Sequence, residues 1–348
     1  MKIRALAVQG VVASLLVAAG MVIPAGAATP SWNIVSGAAW LKAQVADGHV
    51  EGVSGPDLSA TVQTAITLAY AGKVGAKVGR VVPSMVTYVD ANVDAYVDGV
   101  SSPSSATDDA GALAELIFLK QATGTPSPAP LVARLTATQQ PSGLFGASDP
   151  AYDGTDRQSL AIVVLRRSGM SWTDPVLVAA RRWLAAQQCP NGGFSADAAA
   201  TGQSGCDGDP GSYLGPDTNS TAMAVWALSP ANGAPTRTPR FTAALGFLQR
   251  LERRHATWGW FPGLASDSNS SALVDLALAE IGVDIGSTSS VWSREAESPL
   301  SGLKRFQVRP LDTPSTAGGF RYQLTALSPL PDRLATQQAL LAISVAGG

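Results

Sequence analysis

Pro210-Gly-Ser-Tyr-Leu-Gly-Pro-Asp217-Thr-Asn-Ser-Thr221-Ala-Met-Ala-Val-Trp-Ala-Leu228 runs on into Ser-Pro-Ala-Asn-Gly233. The Gly/Pro-rich lead delivers Asp217 and Thr218 to a helix start. Asn232-Gly233 stops the helix. A carboxylate or hydroxyl ahead of the first turn, and glycine after the last, satisfy the unpaired N–H and C=O groups at helix ends. No charged residue lies between these caps. A helix without a polar face is buried on all sides, so the stretch predicts the inner helix of a layered helical protein.

The unit recurs, and a search for repeats guards against misjudging the fold. Related helices begin at Asp57, at Asp108-Asp109, and at Asp156, Asp267 and Asp332. They end at Gly72, Gly124, Gly169, Gly282 and Gly347. Anchored on Thr61, Asp109, Ser159, Thr221, Ser271 and Thr336, the copies stand about 48 to 65 residues apart, the longer steps being loop insertions. Ahead of each runs a more polar segment, at 34–45, 85–96, 129–138, 175–188, 239–254 and 300–306. There apolar residues recur at helical spacing, as in Phe241, Leu245 and Leu248. Each unit is thus an outer amphipathic helix, a link and an inner apolar helix. The last helix stays apolar to the chain end, whereas an open stack needs polar ends. The expectation is an all-α closed toroid, (α/α)6, of six helical hairpins over residues 28–348.

Residues 1–27 read as a secretory signal. Lys2 and Arg4 precede an apolar run from Leu6 to Ile23, and Ala25-Gly26-Ala27 offers a small-residue cleavage site. Cleavage after Ala27 removes Lys2 and Arg4 and no acid, taking the formal net charge from −2 to −4. That is no footprint for nucleic acid or an anionic membrane. Cys189 and Cys206, the two cysteines of an exported chain, flank one loop and predict a disulfide. With two distant histidines, His49 and His255, they lack metal-ligand spacing, so no metal is expected.

The links between outer and inner helices carry a second signature. Trp183-Leu184-x3-Gln188-x3-Gly192-x-Phe194 and Leu135-x3-Gln139-x3-Gly143-x-Phe145 are full copies. Leu303-x3-Gln307 precedes Gly318-Gly319-Phe320, and Leu248-x3-Glu252 precedes Trp258-Gly259-Trp260-Phe261. This resembles the glutamine–tryptophan repeat of the squalene/hopene cyclase and prenyltransferase superfamily, over essentially the whole mature chain. In that superfamily the repeat ties neighbouring hairpins together, so it implies a fold and little chemistry. The Asp217-Thr218-x-x-Thr221 and Asp267-Ser268-x-x-Ser271 starts are also similar to the helical domain of the transcobalamin and intrinsic-factor cobalamin carriers. That resemblance implies polar helix starts at a barrel mouth where a corrinoid sits.

In a closed ring all inner helices start at one end. That end would gather Asp57, Asp108, Asp109, Asp156, Asp217, Asn219, Asp267, Asn269 and Asp332. The links would add Phe145, Tyr152, Phe194, Tyr213, Trp258, Trp260, Phe261, Phe320 and Tyr322, giving a concave mouth suited to a small molecule. The bland reading makes each Asp an N-cap and each aromatic repeat packing. The main expectation is a secreted, monomeric, non-catalytic domain holding a hydrophobic or amphipathic ligand, a corrinoid among the candidates. Its contacts would be Tyr213, Asp217, Asn219, Trp258, Trp260, Asp267, Asn269 and Asp156, with no other cofactor. A membrane transporter or a lid-domain protein would be its partner. Two enzyme readings stand beside it. By the cyclase resemblance, Ala106-Thr107-Asp108-Asp109-Ala110 is the nearest match to the Asp-x-Asp-Asp motif, with Asp108 as general acid. A glycan-active barrel would instead pair Asp108 or Asp109 with Asp156 as acid and base.

Overall fold

The computed structural model describes residues 31–98, 108–124, 129–146, 154–197, 206–207, 214–229, 237–310, 316–325 and 330–347. The expected leader 1–27, Ala106, Thr107, Tyr152, Tyr213 and the Asn232-Gly233 stop lie outside these residues. The outer helices are α1 (Trp32–Lys42), α3 (Val81–Asp90) extended by α4 (Val93–Val97), α6 (Ala129–Ala137), α8 (Pro175–Ala186), α10 (Pro239–Leu251) and α12 (Pro299–Lys304). The inner helices are α2 (Leu58–Lys73), α5 (Ala110–Ala122), α7 (Thr155–Arg167), α9 (Thr218–Ala227), α11 (Ser268–Glu280) and α13 (Arg333–Val345).

The inner six form a closed ring. Each packs on the next in sequence, and α13 returns to pack on α2. The outer helix of each hairpin leans on the inner helix of the hairpin before it, and α1 leans on α13. Polar contacts seal the closing seam. Gln337 Nε2 donates to the Ala60 carbonyl at 3.1 Å and to Thr64 Oγ1 at 2.7 Å, and Arg333 pairs with Asp57 at 3.2 Å. Fully buried side chains such as Leu68, Leu113, Leu116, Ile162 and Leu278 fill the space between the two layers.

The links explain the sequence signature. Three of the glutamines reach over the link glycine to the next outer helix. Gln139 donates to the Val176 carbonyl at 2.9 Å, Gln188 to Arg240 at 2.8 Å, and Gln307 to Asn33 at 2.9 Å. The last of these joins α12 to α1 and closes the outer ring. Gly143, Gly192 and Gly318 have φ near +90 to +100°. A Cβ at any of them would collide with a backbone carbonyl of the neighbouring outer helix, that of Ala179, Ala243 or Ser36. Glycine is required there on both counts.

Short ribbons, which the all-helical expectation omits, occur at these links. β1 (Val45–Ala46), β2 (His49–Gly52) and β3 (Gly55–Asp57) form a meander; β4 (Phe194–Ser195) pairs with β5 (Pro216–Asp217), and β6 (Phe320–Arg321) with β7 (Pro331–Asp332), all antiparallel. Each ends on the carboxylate that caps the following inner helix.

Cys189 and Cys206 are joined, with Cα atoms 5.4 Å apart, tethering the long link between α8 and α9. The closed loop spans a sequence separation of 17. Replacing both cysteines with serine should lower stability by about 3 kcal/mol, the chain-entropy value for such a loop. Urea unfolding of the two proteins side by side measures this; coincident midpoints would show that the tether constrains nothing.

Candidate active site

The inner-helix starts follow one local design. Asp57, Asp109, Asp217, Asp267 and Asp332 each accept the backbone N–H three residues on, at 2.7–2.9 Å. The hydroxyl four residues past the cap does a second job. Thr61, Thr221, Ser271 and Thr336 donate to the carbonyl of their capping Asp and accept the N–H of Val50, Phe194, Trp258 and Phe320, at 2.8–3.0 Å. The Asp-x-x-x-Thr/Ser pattern therefore stitches link to helix. In α7 the cap is Gly154, and Gln158 takes the hydroxyl's place by accepting Phe145 N–H at 2.9 Å. Anchoring that repeat on Ser159 is one residue out of register. Asp156 is accordingly no cap but the second residue of its helix.

From each cap the axis-facing positions follow at helical spacing. Two residues past the caps stand Ser59, Gly111, Asp156, Asn219, Asn269 and Leu334; six past them stand Gln63, Glu115, Leu160, Met223, Leu273 and Gln338. A cavity of about 590 Å³ opens at this end, and side chains from all six inner helices line it, together with Ala95 and Tyr96 of α4. Its polar wall consists of Asp57, Ser59, Tyr96, Asp109, Glu115, Asp156, Arg157 and Gln338.

Thirteen residues past their caps, Tyr70, Arg167 and Glu280 fill the opposite end of the barrel. Arg167 donates to both Glu280 oxygens at 2.7 Å and to the Tyr70 hydroxyl at 3.2 Å. Its guanidinium also lies 5.4 Å from the Phe118 ring and 5.2 Å from the Trp226 ring. The cavity is therefore a blind well.

Two carboxyl groups in and beside the well are tuned together. Asp156 lies on the cavity wall, yet its Oδ1 is buried without a partner. Asp217 is fully buried and accepts Ser220 N–H and Ser220 Oγ–H at 2.9 and 2.8 Å. Burial pushes both carboxyls up, and the negative charge of Asp156 adds to the effect on Asp217, so the pair retains a proton well above the usual carboxylate range. Deeper in the well, Glu115 accepts the Tyr96 hydroxyl and, at 3.3 Å, Gln63 Nε2. Burial raises its carboxyl as well, against the pull of those two hydrogen bonds. Asp109 faces Arg157 Nη1 at 3.4 Å. Gly111 leaves room for this contact, because a Cβ there would press on the Arg157 side chain at 3.0 Å.

The structure redistributes the expected site. Asp109 and Asp156 line the well. Asp217 and Asp267 are buried caps, and Asn219 and Asn269 share the helical position of Asp156 without lining the cavity. Asp108 turns away from it. Both its oxygens bind Arg134 of α6, at 2.7 and 2.9 Å, and that guanidinium holds its carboxyl below the usual range. A neutral acid, as the Asp-x-Asp-Asp reading requires of Asp108, is the opposite of what this pairing favours. The aromatic wall is also revised. Phe145, Phe194, Trp258 and Phe320 are buried in the hydrophobic core, and Phe261 is buried beside a separate cleft. Trp258 donates its indole N–H to the Leu248 carbonyl at 2.9 Å and packs on Trp292. Trp260 packs edge-on to Phe261 outside the cavity. Tyr96, Glu115, Arg157 and Gln338 are additions; reading six residues past each cap would have located Glu115 and Gln338. Among the described residues no cluster of three or more His, Cys, Asp or Glu is placed to hold a metal ion.

No protein-family model matches the chain, and no curated protein matches its sequence. Solved structures do share its architecture. The unsaturated glucuronyl hydrolase of Bacillus sp. GL1 is 14% identical with a TM-score of 0.60, the match covering 89% of this chain and 94% of that one. The type II terpene cyclase MstE of Scytonema is 13% identical with a TM-score of 0.57, covering 90% and 96%. A protein from Actinoplanes is 15% identical with a TM-score of 0.55, covering 91% and 99%. The chain has the α/α-toroid fold common to terpene cyclases and glucuronyl hydrolases. The described residues form a six-hairpin barrel with a blind, acid-lined well.

Proposed function

We propose that the chain is an acid–base enzyme acting on a neutral, hydroxyl-rich small molecule of glycan type, bound in the well. One observation carries this reading: a carboxyl group with a buried, unpartnered oxygen, Asp156, sits on the wall of the cavity that all six inner helices line. Its raised affinity for a proton makes it a general acid. It would give that proton to the leaving oxygen of a glycosidic bond as the C–O bond breaks. Asp109, in the same cavity lining, would take a proton from the water that adds to the anomeric carbon and give it up to solvent, from which the Asp156 proton would be restored. Among the described residues four carboxyl groups line the well beside one guanidinium, a set rich in oxygen atoms that suits a substrate carrying many hydroxyl groups. Among the described residues Tyr96 is the one aromatic in the lining, too few rings to surround the carbocations of a terpene cyclase.

The catalytic reading is favoured over a carrier because Asp156 brings a buried carboxyl oxygen without a partner to the cavity wall itself, a cost in stability that a mere container gains nothing from. That several solved structures sharing the fold are enzymes supports an enzyme reading. Export through residues 1–27 belongs to the same proposal and is supported by the disulfide.

The test is turnover of a panel of neutral aryl glycosides and oligosaccharides, with a polyprenyl substrate as the contrasting arm. Glycoside turnover is expected. Turnover of the polyprenyl substrate with none of the glycosides would reverse the assignment. The pH profile is a second check. Asp156 must be protonated to act, so kcat should fall as pH rises through its pKa. That alkaline limb should lie above the value of about 4 for an ordinary aspartic acid. A limb at or below that value would remove Asp156 as the acid.

A further inference from the structure

Positive charge is concentrated on a second surface, outside the well. From Arg237 to Arg254 the chain carries five arginines and one carboxylate, in a protein of net charge −2. That carboxylate, Glu252, is buried and paired with Arg294 at 3.1 Å. Arg237, Arg240, Arg250, Arg253 and Arg254 are all exposed. Arg254 pairs with Glu295 at 2.9 Å. Among the described residues the other four have no ion-pair partner; Arg240 and Arg250 donate to the backbone carbonyls of Ala185 and Asn191.

Helix α10 shapes this charge into a groove. Pro239, Thr242, Ala243, Gly246 and Arg250 follow at three- and four-residue steps and share one face. With Pro190, Asn191 and Gly192 of the preceding link they line a groove of about 610 Å³ that also includes Arg237. Its floor is threonine, alanine and glycine, so nothing large projects into it. Arg237, just ahead of α10, and Arg250, in its last turn, stand toward opposite ends of this helix. Arg250 also lines an adjoining cleft of about 260 Å³ with Arg253, and Arg253 lines a third, of about 550 Å³, with Arg254, His255 and Arg305, which are paired with Glu295 and Glu297. Shared residues make the three clefts one track, along which Arg237, Arg250 and Arg253 carry positive charge with no ion-pair partner among the described residues.

We infer that this track binds a linear anionic polysaccharide. Guanidinium groups match carboxylate and sulfate oxygens two at a time, and spaced arginines along a shallow groove suit a chain with charge at regular intervals. Nucleic acid fits less well. Single strands are held by stacking on exposed aromatic rings, and the aromatics along the track, Phe261 and Phe306, are buried. None of the residues that line the track lines the well, so the track is an anchoring surface distinct from the site of reaction.

Titration of the full chain with polygalacturonate and with dextran sulfate, at low and at physiological salt, tests the inference. At least one polymer should bind, more weakly at the higher salt. The double variant Arg237→Ala/Arg250→Ala should weaken binding by about tenfold or more, the loss of two charge-assisted contacts. Exposed Arg80, just ahead of α3, serves as control, and Arg80→Ala should leave binding unchanged; circular dichroism reports that both variants are folded. Absence of binding to both polymers at low salt, equal weakening by the control, or equally tight binding of duplex or single-stranded DNA would overturn it. Turnover of small neutral substrates should be the same in the double variant, so this result and the catalytic one are separable.

Discussion

Asp156→Asn is expected to lower kcat on a neutral glycoside by about 10²–10⁴-fold, the usual contribution of a positioned general acid, with little change in KM. Asparagine keeps the size and polarity of the side chain and removes the transferable proton. The helix start does not depend on Asp156, because Gly154 caps α7 and Thr155 ties it to the next link through Ala196 and Ser195, at 2.9 and 2.6 Å. Loss of activity should therefore come with an unchanged circular dichroism spectrum and an unfolding midpoint no lower than that of the parent. Asp108→Asn is the contrast. It breaks a pair with Arg134 outside the well and should leave kcat near that of the parent. Steady-state kinetics of the two variants decide between them. If Asp108→Asn abolished turnover and Asp156→Asn retained it, the acid would sit where the Asp-x-Asp-Asp resemblance puts it.

Asp275→Leu should make the protein more stable at neutral pH, by roughly 1–3 kcal/mol, the cost of one buried unsatisfied polar group. Asp275 lies in the middle of α11, fully buried, and neither carboxylate oxygen has a hydrogen-bond partner. It sits eight residues past the cap Asp267, off the axis-facing series, so the well does not use it. Burial raises its pKa well above the ordinary value. The sign follows from linkage. The folded state holds a proton that the unfolded chain releases above about pH 4, so stability falls as pH rises from there toward the folded pKa, by up to about 1.4 kcal/mol per pH unit. The leucine variant lacks that slope, and its advantage should widen between pH 5 and pH 8. Urea unfolding at both values measures it. A gap that stayed constant, or a variant less stable than the parent, would mean that Asp275 has a partner when folded.

Much of the fold was legible because it is written locally. The Asp and Gly caps, the apolar inner runs and the Gln-x3-Gly-x-Phe links each satisfy backbone groups within a few residues or in the next hairpin, so their residue types recur at readable spacing. The well was less legible, and α7 shows why. Asp156 reads as one more cap, since a carboxylate at a helix start is nearly always that; only the register, with Gln158 in the hydroxyl's role, moves it two residues inward. Trp258 erred the other way. Three aromatics in four residues read as a ligand wall, yet the indole fills an interhairpin wedge, where its N–H meets a backbone carbonyl.

What the sequence determined by itself is the architecture: six hairpins, their capped starts at one end, and a disulfide across the fourth. Local caps and burial patterns are short-range chemistry, and they leave few ways to bury six apolar helices other than a ring. Tertiary structure alone decided which carboxylates face the axis, which are spent on Arg134 or on a cap, and that the Arg167–Glu280 pair makes the well blind. These depend on helix rotation and on partners many residues away, and a side chain's protonation follows from its surroundings rather than from its letter in the chain.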